Sequence, residues 1–280
     1  MRLTIQRGTI LSIIIFAFIG IFIKGQGQNT LITTMLSVAT FLFGIIGAYV
    51  LSDRHRRIDE LQKILRGDDA SYLNIYELSK IFGGKVQEKI KHLIDEFIIA
   101  TIDYKLEDFP KSNKHFTNLF DFIENLKPKG EKQKEAYKQM LDTLREANIN
   151  RKNIEYLVRD TMIKFKWFVL IGLWLIIIFS MFYLNNNSPF SIIIVVLLSS
   201  ASVMFLLIIR DLDTLRWKEE QWIWDPLDQL FEELNLLRYY PEQVLQSRRT
   251  HIKKGTRVRS AHYPYPYPDF RKKEVKVVRI

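Results

Sequence analysis

The chain has 280 residues, a hydrophobic content of 48% that is ordinary for a globular protein, and a net charge of +10. It contains no cysteine, which excludes disulfides, thiolate catalysis and cysteine-based zinc or iron–sulfur sites. The five histidines, His55, His92, His115, His251 and His262, are scattered without a His-x-x-x-His pair, which argues against a histidine metal site.

The average composition conceals four apolar blocks free of Asp, Glu, Lys and Arg. The first, Gly8 to Ile23, lies between Arg7 and Lys24. At about 1.5 Å per residue it reaches roughly 24 Å, and extension toward Leu3 with Arg7 snorkelling completes a span. A basic start before an apolar stretch also fits a signal peptide, but Lys24-Gly-Gln-Gly-Gln offers no small-x-small cleavage site. The second block, Thr30 to Leu51, follows a short link and ends at Ser52-Asp-Arg-His-Arg-Arg57, so the first two blocks read as a tight helical hairpin. Small residues four apart, Thr40, Gly44 and Ala48, mark one strip of it, with Ser37 and Gly47 beside them. Close helix packing is one reading of that strip, and a helix facing a central axis in an oligomer is the other.

Residues 52 to 166 carry apolar positions at helical spacing. The pattern predicts helices near 54–66, 72–82, 85–103, 112–126, 131–147 and 151–165, with breaks at Gly83-Gly84, Pro110 and Lys127-Pro-Lys-Gly130 and a cap at Asn150. Gly83-Gly84-Lys85 lacks the glycine spacing and the Ser/Thr of a phosphate-binding loop and reads as a helix boundary. His92 with Asp95 and Glu96 reads as a solvated charged face rather than a metal site. No Ser, His and Asp set assembles from spacing, and the expectation is that the chain is not an enzyme and carries no cofactor.

The third and fourth blocks, Trp167 to Leu184 and Pro189 to Ile209, form a second hairpin around Asn185-Asn-Asn-Ser188. Lys164, Lys166, Arg210, Arg54, Arg56 and Arg57 gather on one side of the four blocks, and the two short turns carry only Lys24. The positive-inside rule then places both termini, the middle region and the segment after Arg210 in the cytoplasm. No ionisable residue lies inside a span, which disfavours proton relays and ion-coupled transport but leaves a passive pathway open. Ser199, Ser200 and Ser202 in the fourth block read as packing residues.

Beyond the spans, Leu227, Leu230, Phe231 and Leu234 give an amphipathic helix just after Pro226. From Arg248 to Ile280, eleven Lys or Arg stand against Asp269 and Glu274, and Tyr263-Pro-Tyr-Pro-Tyr-Pro268 favours an extended, unpacked chain. Arg248, Arg249, Lys253, Lys254, Arg257 and Arg259 are candidates for binding anionic lipid or a partner, in preference to nucleic acid, and an inert, solubilising tail is the other reading. The organisation expected is therefore all-α and integral to a membrane: hairpin 1–51, cytoplasmic helical region 52–166, hairpin 167–209, amphipathic segment 210–247 and disordered basic tail 248–280.

Phe41-Leu-Phe-Gly-Ile-Ile-Gly-Ala-Tyr-Val-Leu-Ser-Asp-Arg54, running into Arg56-Arg-Ile-Asp-Glu-Leu61, resembles the second membrane helix of bestrophins and prokaryotic bestrophin-like proteins. Arg210-Asp-Leu-Asp213, followed by Pro226-Leu-Asp-Gln-Leu-Phe-Glu-Glu-Leu234, resembles the segment after their fourth helix. The resemblance covers roughly residues 10 to 237 and implies a pentamer with an axial anion pore lined by the second helix. The hydrophobic neck of that family, bulky residues at i, i+4 and i+8, maps to Ser37, Phe41 and Ile45, with Thr40 and Gly44 beside them. Ser37 departs from the pattern and widens or wets one ring. The acidic cluster that clasps calcium in animal bestrophins has a loose counterpart in Asp211, Asp213, Glu219 and Glu220, for which a solvated acidic loop is the better reading. The alternative to a channel is a membrane-anchored interaction protein recruiting partners or anionic lipid through its cytoplasmic helices and basic tail.

Overall fold

The computed structural model describes residues 4–104, 106–216, 223–246, 252–253 and 255–280. It is mostly helical, and four of its helices are long and apolar enough to cross a membrane. The chain divides into two compact units, one of Met1–Ile58 with Thr161–Trp217 and one of Asp59–Asp160 with Lys218–Ile280.

In the first unit, α1 (Ile5–Phe22) starts at Thr4, whose hydroxyl accepts from the Arg7 N–H. Its main packing is against α7 (Pro189–Asp213) rather than its neighbour in sequence, α2 (Thr30–Ser79). Small residues on α1 explain the choice: a Cβ at Gly8 would lie 2.6 Å from a Leu207 methyl, and one at Gly20 3.1 Å from Ile192. Ser12 on α1 and Ser199 and Ser200 on α7 are buried, as packing residues should be. Pro189 opens α7 behind Ser188, which accepts from the Ser191 N–H at 3.2 Å.

The unit is tied at both ends. At the turns, Asn187 accepts from the Gly25 N–H at 2.8 Å and donates to its carbonyl at 3.1 Å, while the Gln26 N–H donates to the Tyr183 carbonyl at 2.8 Å. A Cβ on Gly25 would fall 2.1 Å from the Asn185 carbonyl oxygen, so only glycine fits there. At the opposite end of α7, Asp213 is buried at 8% exposure, and its carboxylate accepts from the Met162 N–H at 2.7 Å and the Trp167 indole at 3.5 Å, the latter on α6 (Lys164–Tyr183). Arg54 approaches the same carboxylate at 3.5 Å and holds Asp53 at 2.7 Å. Arg57 donates to the Asp213 carbonyl at 2.8 Å, covering an acceptor that the helix end leaves open.

In the second unit, two pairs of expected helices are continuous. One apolar stripe, Leu61, Tyr72 and Ile75 with Asp68 in line, runs through Gly67-Asp-Asp and keeps α2 helical to Ser79. Met140, Leu144, Ala147, Arg151, Ile154 and Val158 form the buried stripe of α5 (Gly130–Arg159), so Asn150 lies inside a helix and caps nothing. These stripes meet α3 (Gly84–Asp103), α4 (Asn113–Glu124) and α8 (Asp225–Glu233) in one core.

The all-α expectation is corrected by a three-stranded sheet of β1 (Tyr239–Pro241), β2 (Arg257–His262) and β3 (Glu274–Arg279). β1 pairs parallel with β2, and β2 antiparallel with β3; a five-residue helix, α9 (Glu242–Gln246), follows β1. The unpacked tail is corrected too. Tyr263 and Tyr239 both donate to Asp103 Oδ1, at 2.7 and 2.6 Å, and Lys273 donates to its other oxygen at 2.6 Å. Phe270 packs edge-on against Tyr104, Tyr263 and Tyr267. The tyrosines of the Tyr-Pro run thus find carboxylates and rings that the run itself does not announce.

Replacing Asp213 by Ala removes the acceptor of the buried Met162 N–H and one of the two carboxylates beside the buried Arg54, a cost of about 3 kcal/mol. The expected result is a lower thermal midpoint by tryptophan fluorescence in detergent; an unchanged midpoint would show that the knot carries no stability.

Candidate functional site

The apolar segment of α2 has two unlike sides. Toward its own chain, Ala39, Phe43, Gly47 and Val50 are buried and meet α6 and α7, with Phe43 edge-on to Phe205 at 5.6 Å. Gly47 is small because of that ring: a Cβ there would stand 2.6 Å from it.

The other side is open. Ser37, Thr40, Phe41, Gly44, Ile45 and Ala48 are all exposed, Phe41 at 67% and Ile45 at 54%. A Cβ on Gly44 would meet no atom within 4 Å, so no contact inside the chain asks for a small residue there. Ser37, Phe41 and Ile45 are spaced by four and stack along one line of the helix, with Thr40, Gly44 and Ala48 beside them. The structure therefore brings the five pore candidates onto one open face. The Ser37 hydroxyl donates back to the Thr33 carbonyl at 3.0 Å, so it turns lone pairs rather than a proton outward.

The apolar windows of the four long helices are only 17–28% buried, which leaves most of their surface for lipid or for other copies.

The lipid-binding candidates fare unevenly. Arg248, Arg249 and Lys254 lie outside the described residues, while Lys253 and Arg257 are exposed. Arg259 is corrected: it sits in β2 as a bidentate partner of Asp95, at 2.6 and 2.7 Å, and stacks toward Phe231 and Tyr239. That pairing also takes Asp95 out of the His92 face, where exposed His92 lies 3.4 Å from half-buried Glu96. Among the described residues, no three His, Cys, Asp or Glu are grouped to hold a metal ion. Glu219 and Glu220 lie outside the described residues, and Asp211 pairs with Arg210 at 2.7 Å. Asp213 is not part of a solvated loop but the centre of the buried knot. Sequence reasoning missed that role, although Asp53-Arg54 and Arg210-Asp-Leu-Asp213 placed opposite charges at the ends of two spans.

Among known families, the one described as Bestrophin-like domain matches residues 9–214. No curated protein matches the chain, and no solved structure does.

The two glycines of α2 should answer oppositely to alanine. Gly44→Ala, in open space, gains helix propensity of up to about 1 kcal/mol, whereas Gly47→Ala must displace the Phe205 ring. Thermal midpoints that rise for the first and fall for the second are expected; equal shifts would contradict the two-sided description.

Proposed function

From the premise that the chain belongs to the bestrophin-like family, we propose that it is an oligomeric channel for small anions, with α2 of each copy facing a shared axis. The observation that carries this reading is the open face of α2. It combines two bulky apolar side chains, Phe41 and Ile45, with a glycine, Gly44, whose added Cβ would meet no atom within 4 Å.

In this reading, Phe41 and Ile45 form apolar rings that narrow the axis and act by excluding water from an unoccupied constriction. Thr40 and Gly44 line the axis beside those rings, and Ser37 widens one ring and leaves it polar. No charged side chain stands in the span to trap a passing ion. The exposed Arg56, with Lys164, Lys166 and Arg210, lies at the ends of the spans away from the Gly25–Asn187 turns, an asymmetry that favours a cytoplasmic position for that side and for both termini. Lys253 and Arg257 are the exposed basic residues that remain for contact with anionic lipid.

The test is anion flux from liposomes containing the purified protein. Phe41→Ala should raise the flux several-fold and weaken discrimination between small and large anions, because it removes the widest apolar ring. A flux unaltered in size and selectivity would overturn the neck, and no flux from the unmutated protein would overturn the channel.

A further inference from the structure

The second unit holds a buried polar cluster that the pore reading does not use. Asp68, on α2 well beyond its apolar segment, is 5% exposed; its Oδ2 accepts from the Tyr72 hydroxyl at 2.9 Å, and its Oδ1 receives no hydrogen bond from the described residues. Tyr72 is itself fully enclosed, with its ring 5.1 Å from that of Phe97, and its hydroxyl also interacts with Arg151 of α5. The Arg151 guanidinium is surrounded by Phe97, Phe109 and Phe116 at 4.5, 4.8 and 4.8 Å. Its Nη2 donates to Ser112 Oγ at 3.2 Å and Asn113 Oδ1 at 2.5 Å, and its Nη1 has no acceptor among the described residues. A buried carboxyl and a buried guanidinium therefore share one phenol, and each keeps an unpartnered atom.

An ionised carboxylate with one donor in an enclosed site is costly, because the water it gives up is not replaced. We propose that Asp68, Tyr72 and Arg151 form a pH-sensitive latch between α2 and α5, closed while Asp68 holds its proton and loosened when the proton leaves. Burial pushes the Asp68 carboxyl up to about 7, against the opposing pull of Tyr72 and Arg151. The charged and titratable groups around it are Tyr72 and Asp69 on its own helix, Arg151 from α5 and, next to Asp69, Glu233 from α8. Asp69 is pushed up to about 8, first by burial and then by Asp68 and Glu233, so it titrates in the same direction.

The sign follows from linkage. The closed cluster keeps its proton to about pH 7, whereas a solvated aspartate releases it near 4. The closed state is thus favoured fully at low pH, loses ground as pH rises between those two values, and is level above them. Between pH 6 and pH 8 the opening equilibrium should shift by about tenfold through Asp68 alone. This inference is independent of any pore.

The test uses the full chain in lipid nanodiscs with Asp69→Asn, which removes the neighbouring titration. Hydrogen exchange of residues 61–76 and 144–158, corrected for intrinsic rates, should quicken about tenfold from pH 6 to pH 8. Adding Asp68→Asn, which keeps the shape without the charge, should abolish that change. In parallel, infrared titration of the Asp69→Asn protein should show a protonated carboxylic acid at pH 6 that is lost by pH 8 and is absent when Asp68→Asn is added. Exchange that is the same at both pH values, a pH response that survives Asp68→Asn, or no titrating acid across this range would each overturn the latch.

Discussion

One carboxylate closes the base of the membrane unit. Asp213 ends α7, and to it come the Met162 N–H and the Trp167 indole from the start of α6, the Arg54 guanidinium from α2 and, at its carbonyl, Arg57. Lipid supplies little force to bring apolar helices together, so polar contacts where water begins decide how such helices are joined. With the Gly25–Asn187 clasp at the turns, the knot holds α2, α6 and α7 in one register. The two sides of α2 are defined by that register.

The side of α2 turned inward is filled. Phe43 meets Phe205, and Gly47 makes room for the same ring. The side turned outward repeats the same residue types but is exposed. Packing of a single copy accounts for the first side; the second is left for lipid or for other copies, and the proposed channel assigns it to other copies around an axis. The second unit follows a different rule. There, polar side chains far apart in sequence are paired, as with Arg259 on Asp95 and Tyr239, Tyr263 and Lys273 on Asp103, so the sheet is fastened to α3 through carboxylates.

The four spans were legible because charge-free blocks of that length have few other uses. The small residues of α2 were legible as well, but not which of them were committed: Gly44 and Gly47 look alike in sequence, and only the Phe205 ring separates them. The length of α2 was hidden by Gly67-Asp-Asp, which resembles a break until the stripe from Leu61 to Ile75 is seen to run through it. Asp213 was misread as solvated because its partners lie on other segments, and Arg57 is 156 residues away along the chain. The sheet was missed for a related reason. A Tyr-Pro run is extended by itself, and what folds it is a set of acids on α3 and in the segment after it, Asp103 and Asp108, that local composition does not reveal.

The central claim is that the open face of α2 is covered by other copies of the same chain around an axis. Native mass spectrometry of the purified protein in mild detergent tests it most directly. The account predicts a closed ring of five copies, and a protein that remains a single copy under those conditions would contradict it.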